Sequence, residues 1–166
     1  MHVFHETPCT REFKNGSGKG RTMGLYKEQR AEQQQRMNDF LSKYAFFAFS
    51  EKQFNEGLKQ LGIAPGTKGA IATIPGGGYL LADKAQEFTD ILKSFTQERA
   101  AAIQDPETGQ DFAFDMFLTE LYNTEYGYTG DTTEAIEHLG YTLQEIEAEP
   151  VLKAAFEKAC KRILPD

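Results

Sequence analysis

One segment, about Gln110–Thr124, constrains the fold more than any other because its apolar side chains occupy two sides of a helix. At 3.6 residues per turn, one side carries Phe114, Phe117, Leu118 and Leu121, and the nearly opposite side carries Phe112 and Met116. A helix that is apolar on two sides needs a packing partner on each of them. The segment is therefore predicted to be a central helix, with Asp111, Asp115 and Tyr122 sharing its remaining polar strip.

Helix-forming segments on both sides of the central one predict a mostly helical protein. The other predicted helices cover residues 24–43, 51–62, 84–104, 132–139, 143–148 and 150 onward. The first half of 24–43 has few apolar residues, so it is expected to project from the body or to pack only at its C-terminal end. DPETG at 105–109 is predicted to be a turn, and EYGYTG at 125–130 a loop.

Several helix starts carry residues whose side chains accept hydrogen bonds from free backbone N–H groups. The predicted caps are Ser50 with Gln53, Thr142 with Glu145, Asp83, and Asp131. The two pairs have the spacing of a capping box, in which the two residues cap each other. Pro150 suits the first turn of the last helix, where its missing N–H is not needed.

A small sheet is predicted from three short β-prone runs. In AIATIPGGGYLLAD, residues 70–83, two such runs flank Gly76, Gly77 and Gly78, which indicates a hairpin. The aromatic run Tyr44–Phe49, YAFFAF, can supply a third strand. The resulting class is α+β: a mostly helical single domain of about six or seven helices with a small antiparallel sheet.

Length and charge bound the domain layout. A chain of 166 residues suits one domain, predicted here to span 23–166 after a flexible basic arm at 1–22. The net charge of −7 disfavours a general nucleic-acid binder. Two widely separated cysteines, and a start without a secretory core, favour a cytoplasmic protein. YAFFAF is too short to cross a bilayer.

The acids are concentrated in one part of the chain. Residues 105–149 hold twelve Asp or Glu and no Lys or Arg. One interpretation is a solubilising surface, partly neutralised by the basic last helix. The other is a surface that imitates the phosphates of a nucleic acid and binds a basic cleft of another protein, with interleaved tyrosines as anchors. The predicted partner-binding residues are Asp111, Asp115, Glu120, Glu125, Tyr126, Tyr128, Asp131, Glu134 and Glu137.

An anion site at the glycine triplet is the alternative binding hypothesis. Backbone N–H groups of Gly76, Gly77 and Gly78 could hold an anion together with Lys68 or Lys84. Hairpin glycines more often serve positive φ, which favours the turn interpretation. GSGKGRT, residues 16–22, departs from a P-loop because Phe13 stands at its first glycine position and Gly20 follows the lysine.

No complete catalytic or metal motif is present. His2, His5 and Cys9 lack a fourth ligand. Cys160 falls on the apolar stripe of the last helix, so a His138–Cys160 catalytic pair is disfavoured against an inert buried thiol. Acidic pairs such as Asp111 with Asp115 could hold a divalent cation. Acidic residues at this spacing are, however, also common on the solvent-exposed faces of helices. The sequence implies a non-enzymatic protein and no cofactor or metal.

Three stretches carry a resemblance to a known kind of protein: YAFFAFSEKQFNEGLKQLG, IPGGGYLL and LTELYNTEYGYTGDTTEAIEHLGYTLQEI. Over roughly residues 40–148 they resemble small uncharacterised proteins from phages and mobile elements of Gram-positive bacteria. The resemblance implies a setting in which small accessory proteins blunt host defences. It leads to the hypothesis of an anti-CRISPR-like inhibitor of a defence nuclease, with the basic arm contacting nucleic acid. The alternative is a small-ligand or nucleotide-binding protein that uses the Gly76–Gly78 turn.

Overall fold

The computed structural model describes residues 24–165, and the predicted basic arm, with His2, His5 and Cys9, lies outside them. Within the described residues there are eight helices and one sheet, in a single α+β arrangement. The helices are α1 Leu25–Tyr44, α2 Glu51–Gln60, α3 Ala85–Gln104, α4 Gly109–Asn123, α5 Tyr126–Thr129, α6 Thr133–Leu139, α7 Leu143–Ala148 and α8 Pro150–Ile163. The strands are β1 Ala45–Phe47, β2 Ile71–Ile74 and β3 Gly78–Leu81. The predicted fold class is confirmed.

Helix α4 is the centre of the larger hydrophobic core, as its two apolar sides predict. It packs against α8, α1, α3 and α6. Both predicted sides are enclosed: Phe112 and Met116 on one, and Phe117 and Leu121 on the other, are each at most 4% exposed. Covering both sides of one helix explains why so much of the chain surrounds it.

The three strands form one antiparallel sheet in the order β1-β3-β2. β2 and β3 make the predicted hairpin, in which Ile74 pairs with Gly78. Gly76 and Gly77 have φ of 90° and 84°, a region that glycine enters without a Cβ clash. A second, smaller core of Phe40, Ala45, Ile74 and Leu80 lies between the sheet and helices α1 and α3.

The predicted capping pairs have two different outcomes. Thr142 and Glu145 form the full reciprocal capping box at the start of α7. At α2, Ser50 Oγ accepts the Gln53 N–H, but the Gln53 side chain accepts from Phe49 rather than from Ser50. This pair therefore satisfies two backbone donors without closing the box.

The two single-residue caps also differ. Asp131 lies one residue before Thr132, the N-cap of α6, and accepts the Thr133 backbone N–H. Hydrogen bonds from the Thr133 hydroxyl and backbone N–H lower the pKa of Asp131. The prediction for Asp83 is wrong. A 3-10 turn, Ala82–Lys84, runs directly into α3, and no side chain caps that helix. Because the two helical segments are continuous, the first N–H groups of α3 do not need an Asp83 cap.

Two further expectations are wrong. The segment 125–130 is not only a loop, because Tyr126–Thr129 forms the single turn α5 and ends at Gly130 with φ of 70°. Burial of Tyr126 in the main core holds this turn in place. The first half of α1 does not project, because Tyr26 is 5% exposed and packs with the same core. None of the helices among the described residues has the length and apolar character needed to cross a membrane.

Candidate functional site

The structure divides the predicted partner-binding acids into enclosed and exposed groups. Asp115 and Glu120 are each only 4% exposed, so their assignment to an outward surface is wrong. Both lie on α4 and accept hydrogen bonds from Tyr26 of α1. The run of acids in the sequence is therefore not one continuous surface.

Each enclosed acid has a partner on α1. Asp115 Oδ2 accepts the Tyr26 backbone N–H at 2.9 Å. Glu120 Oε1 accepts the Tyr26 hydroxyl at 3.0 Å and pairs with the Arg30 guanidinium. Burial and the negative charge of Glu120 raise the pKa of Tyr26 to about 12. The Tyr26 hydroxyl thus stays protonated and donates to Glu120.

The exposed acids alternate with exposed tyrosines from the end of α4 to the end of α6. We call this set the acidic–tyrosine surface: Tyr122, Glu125, Tyr128, Asp131, Glu134 and Glu137. Tyr128 is 97% exposed and Tyr122 is 63% exposed, which is unusual for large aromatic side chains. Asp111 is half-buried in the first turn of α4. It lies about 16 Å from Tyr122 along the helix axis at 1.5 Å per residue, so it is remote from this surface.

Direct neutralisation of the acidic–tyrosine surface is absent from the described part of the chain. No Lys or Arg nitrogen between residues 24 and 165 lies within 4.0 Å of its carboxylates, and the His138 imidazole lies 3.8 Å from Glu134. The basic residues of α8 are exposed and form no ion pair with the described acids. The Lys158 ammonium instead lies 4.6 Å from the centre of the Phe114 ring.

Tyr126 is not an exposed anchor, contrary to the prediction. It is 7% exposed and belongs to the main core. Burial, with a contribution from the neighbouring Cys160, raises its pKa to about 12. Burial likewise raises the pKa of the Cys160 thiol, which favours its protonated form. A His138–Cys160 pair gains no support, because His138 faces Glu120 and Glu134 instead.

The glycine triplet is explained by the hairpin. A Cβ on Gly78 would lie 2.7 Å from the Phe47 ring, so close packing requires a glycine there. The Lys84 ammonium is 2.9 Å from Glu87 and 4.6 Å from the Tyr44 ring centre. Lys68 is exposed, and no described contact brings either lysine to the turn. The anion-binding alternative stays a prediction.

A polar cleft between α1, α3, α4 and α6 is the site that the sequence did not predict. Its volume is about 310 Å³, and it is lined by Tyr26, Gln29, Arg30, Gln33, Phe95, Thr96, Arg99, Glu120 and His138. The lining combines two guanidinium groups, an imidazole and one enclosed carboxylate. Convergent polar groups in a concave site are typical of ligand binding.

The charged side chains around the cleft differ in whether they have a partner of opposite charge. Arg30 is paired with Glu120, and His138 Nδ1 is 3.8 Å from the other oxygen of Glu120. Arg36 holds Glu98 and lowers its pKa. Among the described residues, Arg99 has no carboxylate within 4.0 Å; its guanidinium carbon lies 5.5 Å from the Tyr141 ring centre. Within residues 24–165, no group of three His, Cys, Asp or Glu side chains could hold a metal ion.

A signal for this cleft does exist in the sequence. Tyr26, Gln29, Arg30 and Gln33 follow the i, i+3, i+4, i+7 spacing of a helix face that contacts another element. Because three of these residues are polar, the spacing resembles a solvated face. The complementary carboxylate, Glu120, is 90 residues from Arg30, and no local pattern links the two.

Comparison with known proteins assigns the chain to a family but finds no individual protein that matches. No curated protein and no solved structure matches it. The profile of a family of unknown function, DUF7659, matches residues 25–162, which spans α1 to α8 and therefore both the polar cleft and the acidic–tyrosine surface. The protein belongs to this family of unknown function, DUF7659.

Proposed function

We propose that the protein binds a basic site on another protein through the acidic–tyrosine surface. The observation that supports this proposal is the exposure of Glu125, Asp131, Glu134 and Glu137 without a Lys or Arg partner among the described residues. Tyr128, between Glu125 and Asp131 in the sequence, is 97% exposed and offers a large aromatic surface for a partner to cover. An acidic surface steers a basic partner from a distance, and tyrosines supply contact area once it arrives.

The partner proposed is a nucleic-acid-binding protein of a bacterial defence system. A row of carboxylates imitates the backbone charge that such a cleft is built to hold. The resemblance to phage and mobile-element proteins makes a defence nuclease the favoured target, inhibited in the manner of an anti-CRISPR protein. The protein would act without catalysis, in the cytoplasm of the host cell. Its basic N-terminal segment would contact guide RNA or DNA beside the same cleft.

A pull-down from a bacterial host, followed by affinity measurement over a range of salt, tests the proposal. The test variant reverses three exposed acids: Glu125→Lys, Glu134→Lys and Glu137→Lys. The control variant makes the same change in net charge on α2 and the 3-10 turn: Glu51→Lys, Glu56→Lys and Asp83→Lys. We expect the first variant to lose at least a hundredfold in affinity at low salt, while the control retains most of its affinity.

Tyr128→Ala separates a specific surface from general charge attraction. The substitution leaves the charge unchanged and removes the exposed aromatic ring. An anchor residue in an interface contributes about 2 kcal/mol or more, which corresponds to at least a tenfold loss of affinity. Equal losses in both charge-reversed variants, or a Tyr128→Ala variant that binds like the wild type, would contradict the proposal.

A further inference from the structure

We infer that the polar cleft binds a small hydroxylated organic anion, such as a phosphorylated or carboxylated sugar. This inference does not depend on the acidic–tyrosine surface, because the cleft is built mainly by α1, α3 and α4. It rests on Arg99 and on Glu120 Oε2, neither of which has a partner within residues 24–165, and on the net charge and size of the cleft.

Arg99 is the anion-binding group. Its side chain is half-buried on α3 and lines the cleft, and no described carboxylate lies within 4.0 Å of it. The Tyr141 ring centre lies 5.5 Å from its guanidinium carbon. A guanidinium fork matches the geometry of a phosphate or a carboxylate. A ligand anion would therefore give Arg99 the partner that the described chain does not supply.

Glu120 provides a hydrogen-bond acceptor beside that cation. Its Oε1 atom already accepts from Tyr26 and Arg30. Among residues 24–165, its Oε2 atom has only His138 nearby, at 3.8 Å, which is beyond hydrogen-bond range. No described side-chain polar atom is both sealed from solvent and without a partner. Oε2 is therefore open to the cleft, where a ligand hydroxyl or amine can donate to it.

Charge and size narrow the ligand further. With His138 neutral, Arg30 and Arg99 against Glu120 give the cleft lining a net charge of +1, which suits one anionic group. Gln29 and Gln33 add side-chain amides to the lining, and the Phe95 ring supplies an apolar wall. The Arg36 guanidinium carbon lies 4.9 Å from the centre of that ring. A volume of about 310 Å³ lies at the lower end of ligand sites and favours a single sugar-sized molecule.

Thermal stabilisation by inorganic phosphate at constant ionic strength is the first test. The variants are Arg99→Gln and a matched control, Lys93→Gln, which removes one positive charge from the exposed side of the same helix. Ligand that binds only the folded state raises Tm. We expect phosphate to raise the Tm of the wild type and of Lys93→Gln, but not that of Arg99→Gln. The same shift in all three proteins would overturn the inference.

Isothermal titration with ribose 5-phosphate, ribose and gluconate is the second test. A hydroxylated anion should bind at least tenfold more tightly than inorganic phosphate, because its hydroxyls reach Glu120 Oε2, and ribose alone should not bind. Whichever of ribose 5-phosphate and gluconate binds more tightly shows whether the anionic group of the ligand is a phosphate or a carboxylate. If neither binds more tightly than phosphate, or if Arg99→Gln binds them as the wild type does, the inference is wrong.

Tyr128→Ala distinguishes this inference from the proposed function. The residue lies outside the cleft lining, so the variant should bind ribose 5-phosphate normally even where it loses the protein partner. Loss of both activities in that variant would contradict the separation of the two sites.

Discussion

The polar cleft and the acidic–tyrosine surface draw their acids from the same run of sequence and treat them in opposite ways. In the cleft, Glu120 is 4% exposed and is held by Tyr26 and Arg30. On the surface, Glu125 and Glu137 are exposed and have no Lys or Arg partner among the described residues. The first arrangement fixes a charge in one position, and the second leaves charges available to another molecule.

The difference shows that the number of acids in a segment does not determine what they do. An enclosed carboxylate depends mainly on partners inside the protein, because little water reaches it. An exposed carboxylate remains hydrated and contributes mainly to the long-range field. The two regions should therefore respond very differently to the same substitution.

The largest expected difference comes from neutralising one acid in each region. Glu120→Gln removes the charge that Tyr26 and Arg30 contact, and we expect the free energy of unfolding to fall by about 2 kcal/mol. The expected loss is moderate because about half of the Arg30 side chain is exposed, so water can hydrate its guanidinium group in the variant. Glu125→Gln, the matched control, should stay within about 0.5 kcal/mol of the wild type. Urea denaturation measures both, and equal effects would remove the distinction between the two regions.

A smaller effect is expected from Tyr26→Phe, which deletes only the hydroxyl that donates to Glu120. The loss should be about 1 kcal/mol at neutral pH, and Tyr128→Phe, on the exposed surface, should have no measurable effect.

The same pair of variants predicts a difference at alkaline pH. The pKa of Tyr26 is raised from 10.0 to about 12 in the folded protein. Above pH 10 the unfolded chain loses this proton while the folded chain keeps it, so stability falls with rising pH until the folded pKa is passed. Tyr26→Phe should therefore lose stability less steeply than Tyr128→Phe between about pH 10 and 12. If the denaturation midpoints of the two variants fall in parallel as the pH rises, the Tyr26 hydroxyl is not the source of the alkaline loss of stability.

The smallest effect is expected from reversing one surface charge. Glu137 lies in the last turn of α6, where a cation interacts favourably with the helix dipole. Glu137→Lys should raise the free energy of unfolding by a few tenths of a kcal/mol, and high salt should remove the gain. A marked destabilisation, seen in urea titrations at low salt, would mean that Glu137 has an internal partner and does not belong to the surface.

The fold was largely predictable because its main signals are local. The two apolar sides of α4, the glycine hairpin and the Thr142–Glu145 capping box each depend on residues within a few positions of one another. Two local predictions failed for different reasons. Asp83 is not a cap because a 3-10 turn continues into α3, and Tyr126 is not exposed because the core accepts its ring.

The candidate site was less predictable because its residues come from distant parts of the chain. Arg30, Arg99, Glu120 and His138 meet only after four helices have packed. The polar face of α1 looked like a solvated face because its partners, on α3 and α4, are more than 60 residues away. Sequence could place the acids in one segment, but the packing of other helices around α4 decided which of them were enclosed.

The link between Tyr26 and Asp115 joins residues separated by 89 positions, and this separation has a consequence for the order of folding. Closing so long a loop costs conformational entropy, and this cost is offset only when the contacts between α1 and the rest of the core have formed. We therefore expect α4, α6 and α8 to assemble first and α1 to dock late. Pulse-labelled hydrogen exchange would contradict this order if α1 amides were protected before those of α4. An intermediate without docked α1 would leave Asp115 and Glu120 without the partners that Tyr26 and Arg30 supply in the folded protein.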